Sequence, residues 1–539
     1  MKKNILKATS IMAAVSLLST GCATNTSESA NTDTGNPAET EVKEIPIQTR
    51  SINLGDDGKA RVIITTDLEC DDQNSFIHQC LFFNEIDLDG IVISASQFHF
   101  TGDGEHTLEE VNSHYMCANG GDVTECRPME LEWLNNLWTN EYAEAYPNLA
   151  ANVEGFPTPE ELVAITKIGN VEFEGDVRED TEGSNLIKEA ILDDDDQNLF
   201  LLSWGGFNTI ARALLSIAED YKDTDQWDAI YEKVVNKVIL GAHGQDYTYQ
   251  DYIADLYPDL VSYSASEGYA GYAIAYTAPE DAIYTFKGEW LKENIKFNHG
   301  SLNEIYRLVN DGQDYPGEED QFQFGHTNTI INKEYDDYDF ISEGDSITLI
   351  NFYPVGLNWQ DNGYFGALGG RIKFTVGDDR TDAGYICALS DGAIAPKYYD
   401  METGEQVKKP YILDFQLEWA ARADWCINGF EDCNHPPVVS EVQSQIVGKP
   451  GETVTLTVNV EDPDGDDCDT NWWIDRGASV YGNGDEILSS CISSNGKECS
   501  FTIPEDTQSG NNFLIQANVT DKADAPITRY AQFVVSVSE

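Results

Sequence analysis

The chain has 539 residues, of which 95 are acidic and 32 are basic, so its formal net charge is −63. Hydrophobic residues make up 41% of it, which is enough to bury the cores of two or more domains and excludes an acidic disordered tail. A charge of this sign and size repels phosphate backbones and anionic lipid heads. We therefore expect no nucleic-acid partner, and a hydrated surface suited to salty surroundings.

Residues 1–22 predict an export signal. Three lysines precede an apolar run too short to span a bilayer, and small residues then lead to Cys22. The segment LSTGC (18–22) resembles a bacterial lipobox, which implies cleavage before Cys22 and lipidation of its thiol. The alternative is an ordinary secretory signal, because Ser19 stands where Leu is more usual. We expect a protein that is lipid-anchored to the bacterial envelope, at the outer membrane, or secreted, with no other membrane contact.

Cysteine usage fits an exported chain. Ten cysteines remain after Cys22, and export exposes them to oxidising conditions. Sequence spacing does not fix their connectivity. The short-range pairs that are candidates for disulfides are Cys117/Cys126, Cys426/Cys433 and Cys491/Cys499.

Hydrophobic patterning divides the rest of the chain into a tether and two domains. Residues 23–57 predict a disordered tether, since their first part is polar and poor in aromatic residues. Within 58–432, short Val/Ile/Leu runs alternate with amphipathic stretches, which predicts an α/β domain with a doubly wound, mostly parallel sheet. The runs expected as strands are 61–66, 90–96, 198–204, 236–243 and 346–352. From 433 to 539 the pattern has period two, which predicts a small all-β, immunoglobulin-like sandwich.

Two further motifs leave alternatives open. The run DPDGDD (462–467) could bind calcium in a loop or form an Asx-rich hairpin turn. The segment Gly369-Gly370-Arg371 could recognise a carboxylate, because Arg offers a bidentate fork, or form a tight turn with Arg371 in a structural salt bridge.

An acidic group closes the first predicted strand. In RVIITTDLECDDQNSF (61–76), Asp67, Asp71 and Asp72 lie where a buried strand ends and a helix begins. Ligands of open α/β sheets bind outside the carboxyl ends of the strands. Acidic side chains also cap helices, but one carboxylate suffices for a cap. Three carboxylates crowded at one strand end repel each other, which favours a bound cation or a sugar site.

Several segments, in the same chain order, resemble those of nucleoside hydrolases. Asp67 followed by Asp71-Asp72 resembles their aspartate motif. GIVISASQ (90–97) resembles their second strand, with Gln97 where an Asn usually contacts the sugar. WGGFNTIARAL (204–214) is similar to a Gly-Pro-Leu-Thr-Asn-Ile-Ala-x-Ala-Leu segment, and EGDS (343–346) is similar to the segment carrying the last calcium-ligating Asp, here Asp345.

The resemblance implies a calcium-dependent hydrolase of N-glycosyl or related sugar bonds. It assigns to Ca²⁺ the carboxylates of Asp67, Asp72 and Asp345 and the backbone carbonyl of Asn208, an oxygen set of the kind calcium prefers. Asp67 would also be the catalytic base that takes a proton from water. Asp71 and Gln97 would hold sugar hydroxyls, and Trp204 would stack on a sugar face.

The chain is more specifically similar, over residues 58–539, to a cellulose-binding branch of nucleoside-hydrolase-like proteins, which carry a β-sandwich after the hydrolase-like domain. The supporting segments are FNEID (83–87), LSWGG (202–206), GGR (369–371), AARADWC (420–426) and NHPPV (434–438). The branch implies a carbohydrate or nucleoside-like ligand, cellulose or another polysaccharide among them. Gly344 replaces a His that often protonates the leaving group, and Leu68-Glu69 replaces Pro-Gly. A non-catalytic polysaccharide-binding protein is therefore the alternative.

Overall fold

The computed structural model describes residues 52–113, 121–242, 247–265, 270–272, 274–314, 324–330, 333–376, 398–399, 406–407, 410–481 and 491–539. The export signal with Cys22, most of the tether, and Cys117 lie outside the described residues. The expectations about these positions therefore stay predictions.

A seven-stranded sheet forms the centre of the first domain. Its first six strands are β1 (Arg61–Thr66), β2 (Asp87–Ile93), β3 (Thr166–Ile168), β4 (Leu199–Trp204), β5 (Val238–Ala242) and β6 (Val261–Ala265). A short hairpin, β7 (Thr329–Ile330) and β8 (Lys333–Glu334), precedes β9 (Ile372–Val376). The spatial order is β3-β2-β1-β4-β5-β6-β9, and only β9 pairs antiparallel. The predicted doubly wound, mostly parallel sheet is confirmed.

Helices cover both faces of this sheet. They are α1 (Cys70–Gln79), α2 (Leu108–Val111), α3 (Trp133–Leu137), α4 (Ala143–Asn152), α5 (Pro159–Ile165), α6 (Glu182–Leu192), α7 (Asn208–Tyr221), α8 (Trp227–Lys237), α9 (Ile274–Thr277), α10 (Gly288–Leu291), α11 (Ser301–Glu304), α12 (Ser346–Ile350) and α13 (Ile412–Trp425). Short 3₁₀ turns span Cys80–Glu85, Ile283–Phe286, Phe324–His326, Gly363–Phe365 and Phe430–Asp432, and π-helical turns span Trp138–Tyr142, Tyr249–Ile253 and Lys292–Lys296. In the described ranges, every helix is too short or too polar to cross a membrane.

The side chains of β1 alternate between the two faces of the sheet, which explains why helices pack on both. Val62 and Ile64 face a core shared with α1 and α13, whereas Ile63 faces a second core shared with α6, α7 and α8. Successive side chains of a strand point to opposite faces, so a strand buried on both faces is apolar throughout. The apolar run 346–352 is an exception: it was expected as a strand, but it forms α12, because an apolar run of this length also suits a buried helical turn.

The C-terminal domain is a pair of stacked sheets, as its period-two pattern predicted. After a short hairpin of β10 (Tyr398–Tyr399) and β11 (Gln406–Val407), its strands are β12 (Val438–Glu441), β13 (Gln445–Gly448), β14 (Thr453–Glu461), β15 (Cys468–Val480), β16 (Ile492–Asn495), β17 (Glu498–Thr502), β18 (Asn512–Asp521) and β19 (Thr528–Val537). Four strands form each sheet, in the orders β12-β14-β17-β16 and β13-β19-β18-β15. Their inner faces enclose a separate apolar core.

Buried ion pairs join the two domains. The Arg371 guanidinium lies 2.6 Å from a carboxylate oxygen of Asp475 on β15, which confirms the expected structural salt bridge. Glu418 on α13 accepts hydrogen bonds from Arg529 of β19 at 2.7 and 2.9 Å. The domains therefore share charged contacts as well as apolar ones, and α13 is the element through which much of this contact is made.

We expect the Glu418 contact to make stability fall in acid. Burial alone would raise the pKa of Glu418, but the positive charges of Arg529 and Arg422 outweigh it and lower the pKa to about 2. A lowered pKa stabilises the fold above the unfolded value of 4.5, and this contribution is lost as the pH falls from there towards 2. Urea unfolding between pH 7 and pH 2.5 should show a loss of up to about 3 kcal/mol that Glu418→Gln removes. An equally steep acid loss in Glu418→Gln would contradict this assignment.

The structure bears on two further sequence interpretations. Cys426, Cys433 and Cys499 carry free thiols in this structure, so the candidate disulfides Cys426/Cys433 and Cys491/Cys499 are not formed. Short spacing along the chain brings thiols near each other, but a disulfide also needs matched Cβ directions, which spacing does not show. In the run 462–467, the Asp462 carboxylate accepts hydrogen bonds from the backbone of Asp464 and Asp466, as an Asx turn does. The run joins β14 to β15, which lie in different sheets, so it is not a hairpin turn. Carboxylate oxygens of Asp462, Asp464 and Asp466 lie within 4.8 Å of one another, so calcium binding at this loop stays a prediction.

Candidate metal and sugar site

The turn between β1 and α1 presents the first carboxylates. Asp67 directly follows β1, and its Oδ1 accepts a hydrogen bond from the Glu69 backbone at 3.1 Å. Leu68 adopts a positive φ of 58°, which turns the chain sharply into α1. Asp71 and Asp72 lie in the first turn of that helix. Because β1 and β4 are neighbours where the strand order reverses, this turn lies at the topological switch point of the sheet.

Asp345 reaches the same place from nearly 300 residues away. It lies at the start of α12. Carboxylate oxygens of Asp71, Asp72 and Asp345 all lie within 4.8 Å of one another. These three side chains and Asp67 are 9%, 1%, 4% and 3% exposed, respectively. The predicted meeting of Asp345 with the early aspartates is therefore found for Asp71 and Asp72, and the charge of Asp67 acts on both Asp72 and Asp345. We call these four residues the carboxylate cluster.

The electrostatics of the cluster are unfavourable without a counter-charge. Burial raises the pKa of Asp72 well above its usual range, and the nearby charges of Asp345, Asp67 and Asp71 raise it further. Burial raises the pKa of Asp345 in the same way, with added repulsion from Asp71 and Asp67. Both shifts have the same cause, since negative charges held together away from water are unfavourable. A divalent cation would remove this repulsion.

Neighbouring groups fix the directions of the carboxylates. The Thr66 hydroxyl donates a hydrogen bond to Asp72 Oδ1 and accepts one from the Leu68 backbone at 3.1 Å. The Ser342 hydroxyl donates to Asp71 Oδ2 at 3.4 Å. A Cβ built on Gly205 would lie 3.0 Å from the Asp67 Cβ, so the chain after β4 packs directly against Asp67. The cluster is a set of oriented carboxylate oxygens on rigid elements, and calcium prefers oxygen ligands.

A second buried network, which the sequence did not reveal, supports the Asp345 segment. Glu343 accepts hydrogen bonds from Tyr306 at 2.6 Å and from Ser346 at 2.8 Å, and lies 2.9 Å from His78 Nδ1. His78 stacks on Trp419, with ring centroids 4.1 Å apart. Glu343 is part of the EGDS segment, but besides Ser346 its partners come from α1 and from the segment near residue 306. No local sequence pattern predicts such a network.

The other predicted site residues have different surroundings. Asn208 begins α7, and its side chain donates to the Asn170 carbonyl and, at 3.4 Å, to the Phe173 carbonyl. Its side chain therefore holds the segment after β3, and its role as a calcium ligand stays a prediction. Gln97 lies half-buried just beyond β2, at the same edge of the sheet as the cluster.

The expected stacking role of Trp204 is wrong. Trp204 is 3% exposed, its ring packs 4.7 Å from that of Phe76, and its indole N–H donates to Thr348 Oγ1 at 2.7 Å. The ring belongs to the apolar core under the sheet, which does not suit stacking on a sugar. Trp204 instead packs at the end of β4, and its hydrogen bond to Thr348 links β4 to α12, which has Asp345 at its start.

The glycine pair after β4 gives a sharp stability prediction. A Cβ built on Gly206 would lie 2.4 Å from the Ala95 carbonyl oxygen, which already accepts a hydrogen bond from the Gly206 backbone at 3.0 Å. We expect Gly206→Ala to lower the free energy of unfolding by about 1–3 kcal/mol, measured by urea denaturation. Gly429→Ala is the control, since nothing lies within 4 Å of its built Cβ. Equal stabilities of the two variants would contradict the close approach.

Fold and site together define a class: an α/β protein of nucleoside-hydrolase type, with acidic side chains at the switch point and a β-sandwich appended. The family model described as "Cellulose-binding Sde182, nucleoside hydrolase-like domain" matches residues 61–372, more than half of the chain. The model described as "Cellulose-binding protein Sde0182, C-terminal domain" matches residues 453–537. The chain belongs to this family of cellulose-binding, nucleoside-hydrolase-like proteins, as its motifs indicated.

A solved structure agrees on the fold. A nucleoside hydrolase-related hypothetical protein from Saccharophagus degradans, described as associated with carbohydrate metabolism, is 23% identical, covers 89% of this chain and 100% of its own, and gives a TM-score of 0.60. Murine CRIg, 9% identical, covers 19% of this chain and 98% of its own with a TM-score of 0.15, which supports no argument. No curated protein matches the chain.

Proposed function

We propose that this protein is a cell-surface, calcium-dependent hydrolase of glycosyl bonds, either N-glycosyl bonds or a related sugar linkage. The observation that supports the proposal is the burial of four carboxylates at the switch point of the sheet, three of them with oxygens within 4.8 Å of one another. Asp72 and Asp345, which belong to that trio with Asp71, would hold Ca²⁺ together with Asp67, and the Asn208 carbonyl would be a further ligand. Bound calcium would lower the pKa of a coordinated water and so help make a nucleophile near neutral pH.

The chain's own residues supply the remaining chemistry. Asp67 accepts the proton of the attacking water, because its carboxylate lies at the strand end and is oriented by the Glu69 backbone. Asp71, which is the most exposed of the four, accepts hydrogen bonds from sugar hydroxyls, and Gln97 adds a donor and an acceptor beside it. The negative charges of the cluster stabilise the positive charge that develops on the sugar ring as the glycosyl bond breaks.

Binding without cleavage is the second candidate, and one observation favours it. Gly344 stands where the similar hydrolases often carry a His that protonates the leaving group, so this segment lacks a group to complete bond cleavage. The cluster would then hold a polysaccharide such as cellulose, the polymer that the matching family descriptions name. In both cases the protein would act outside the cell, attached through lipidated Cys22 or secreted.

Turnover assays separate the two candidates. Wild-type protein is incubated with nucleosides, aryl glycosides and cello-oligosaccharides in calcium or in EDTA, and released reducing sugar is measured. The hydrolase proposal predicts sugar release in calcium, loss of release in EDTA, and an Asp67→Asn variant that binds substrate but does not cleave it. Binding by wild type without any release would contradict the hydrolase and favour the second candidate.

A further inference from the structure

A cavity of about 220 Å³ is separate from the carboxylate cluster, because none of the four cluster residues is in its lining. Its lining includes His106, Glu110, Gly175, Asp176, Arg178 and Tyr252. These residues come from the segments that follow β2, β3 and β5, so the cavity opens at the carboxyl ends of the parallel strands. That is the edge of the sheet where ligands of such folds bind.

Two consecutive glycines lie between the cavity and the cluster. Gly205 packs against Asp67, and a Cβ built on Gly206 would lie 3.1 Å from Cγ of Glu174. Glu174 immediately precedes the cavity residues Gly175 and Asp176. The protein is close-packed at this point, so a ligand that contacts both places must pass over the glycine pair, whose two residues carry no side chain.

The polar groups of the cavity are held in fixed directions. Arg178 donates to Asp176 at 2.8 Å, to Glu172 at 3.1 Å and to Asp103 at 3.2 Å. His106 lies 2.7 Å from Asp103, and this hydrogen bond raises the pKa of His106 and so favours its protonated, donating form. The Glu110 carboxylate accepts a hydrogen bond from the Thr107 backbone at 3.0 Å. Both donors and acceptors are therefore oriented before any ligand arrives.

Charge and size indicate the kind of ligand. The carboxylates of Asp103, Glu110, Glu172 and Asp176 outnumber the cations of Arg178 and His106 in this group, so an anion would be repelled. A neutral sugar offers adjacent hydroxyls that donate to carboxylates and accept from a guanidinium, and the Tyr252 ring supplies an apolar wall. The volume is below the roughly 300–1,000 Å³ of common ligand pockets, which suits one sugar unit.

We propose that this cavity is a subsite for one neutral sugar unit of an oligosaccharide whose next units extend towards the carboxylate cluster. The inference rests on the proposed function, since it requires a carbohydrate ligand at that cluster. At this subsite the protein would recognise the length and the neutral charge of the ligand, away from the carboxylates that would hold calcium.

Calorimetric titration with cellotetraose in calcium tests the subsite. We expect wild type to bind, and Arg178→Ala and His106→Gln each to weaken binding by about tenfold or more, because each change removes oriented hydrogen bonds to the sugar. Lys522→Ala is the matched control: it also removes an exposed ion-paired cation, at Asp469 in the β-sandwich, and should bind like wild type. Calcium titration of Arg178→Ala and His106→Gln should give the wild-type affinity.

Three results would overturn the subsite: equal cellotetraose affinity in wild type and both cavity variants, no binding by wild type at millimolar cellotetraose, or tighter binding of an oligogalacturonate than of cellotetraose. The proposed hydrolase fails by a different result, the absence of calcium-dependent sugar release. The two failures can therefore be told apart in one set of protein samples.

Discussion

Asp345→Asn should lower the affinity for calcium more than about 100-fold, since changing even an outer neighbour of a metal ligand costs 10–100-fold. Asparagine keeps the shape and one oxygen but removes a negative charge from the carboxylate cluster. The same change should raise the melting temperature in EDTA, because Asp345 is repelled by Asp71 and Asp67. Calorimetric titration and thermal unfolding, each with calcium and with EDTA, measure the two effects.

The opposite signs of these effects make the prediction specific. A variant that was merely misfolded would lose calcium binding and stability together. Asp469→Asn is the matched control, because that carboxylate is exposed and ion-paired with Lys522 in the β-sandwich. It should leave both calcium affinity and melting temperature near the wild-type values. Wild-type calcium affinity in Asp345→Asn would contradict its place in the metal site.

Arg371→Ala should lower the free energy of unfolding by about 3–5 kcal/mol, the usual cost of removing one partner from a buried ion pair. Arg371 and Asp475 are 0% and 1% exposed, and the guanidinium also donates to the Tyr364 carbonyl. The substitution leaves the Asp475 carboxylate buried beside an empty space. Urea denaturation followed by tryptophan fluorescence measures the loss.

Two further variants test whether the lost stability comes from the unpaired charge of Asp475 or from the lost volume of Arg371. Arg371→Met combined with Asp475→Leu removes both charges and should be more stable than Arg371→Ala, because no unpaired carboxylate stays buried. Lys522→Ala breaks an exposed ion pair and should change stability by less than about 1 kcal/mol. If Arg371→Ala also lowered the free energy of unfolding by less than about 1 kcal/mol, the ion pair with Asp475 would not be important for stability.

Much of the fold could be predicted from the sequence because its strands are buried on both faces. Continuous apolar runs such as 61–66 predict such strands. The strands Arg61–Thr66 and Leu199–Trp204 lie where they were expected. The run 346–352 gave the wrong element because apolar content alone does not separate a buried strand from a buried helix. The edge strand β9 was missed, since it pairs antiparallel and follows a long irregular segment.

The candidate site was predictable where a motif is local and only partly predictable elsewhere. Asp67, Asp71 and Asp72 share one turn, and the resemblance supplied Asp345 from a distant segment. The error at Trp204 arose because a residue at a strand end can face a ligand or the core, and only its contacts with Phe76 and Thr348 decide between these. The cavity at Arg178 was not foreseen, because its walls come from segments that no motif connects.

The most direct test of the account is an anomalous-scattering map from a crystal of the protein grown in calcium. We expect one calcium ion per chain, with carboxylate oxygens of Asp67, Asp72 and Asp345 at about 2.3–2.6 Å from it. A map with no anomalous peak among these carboxylates, at calcium concentrations in the millimolar range, would contradict the central claim that the carboxylate cluster binds a metal.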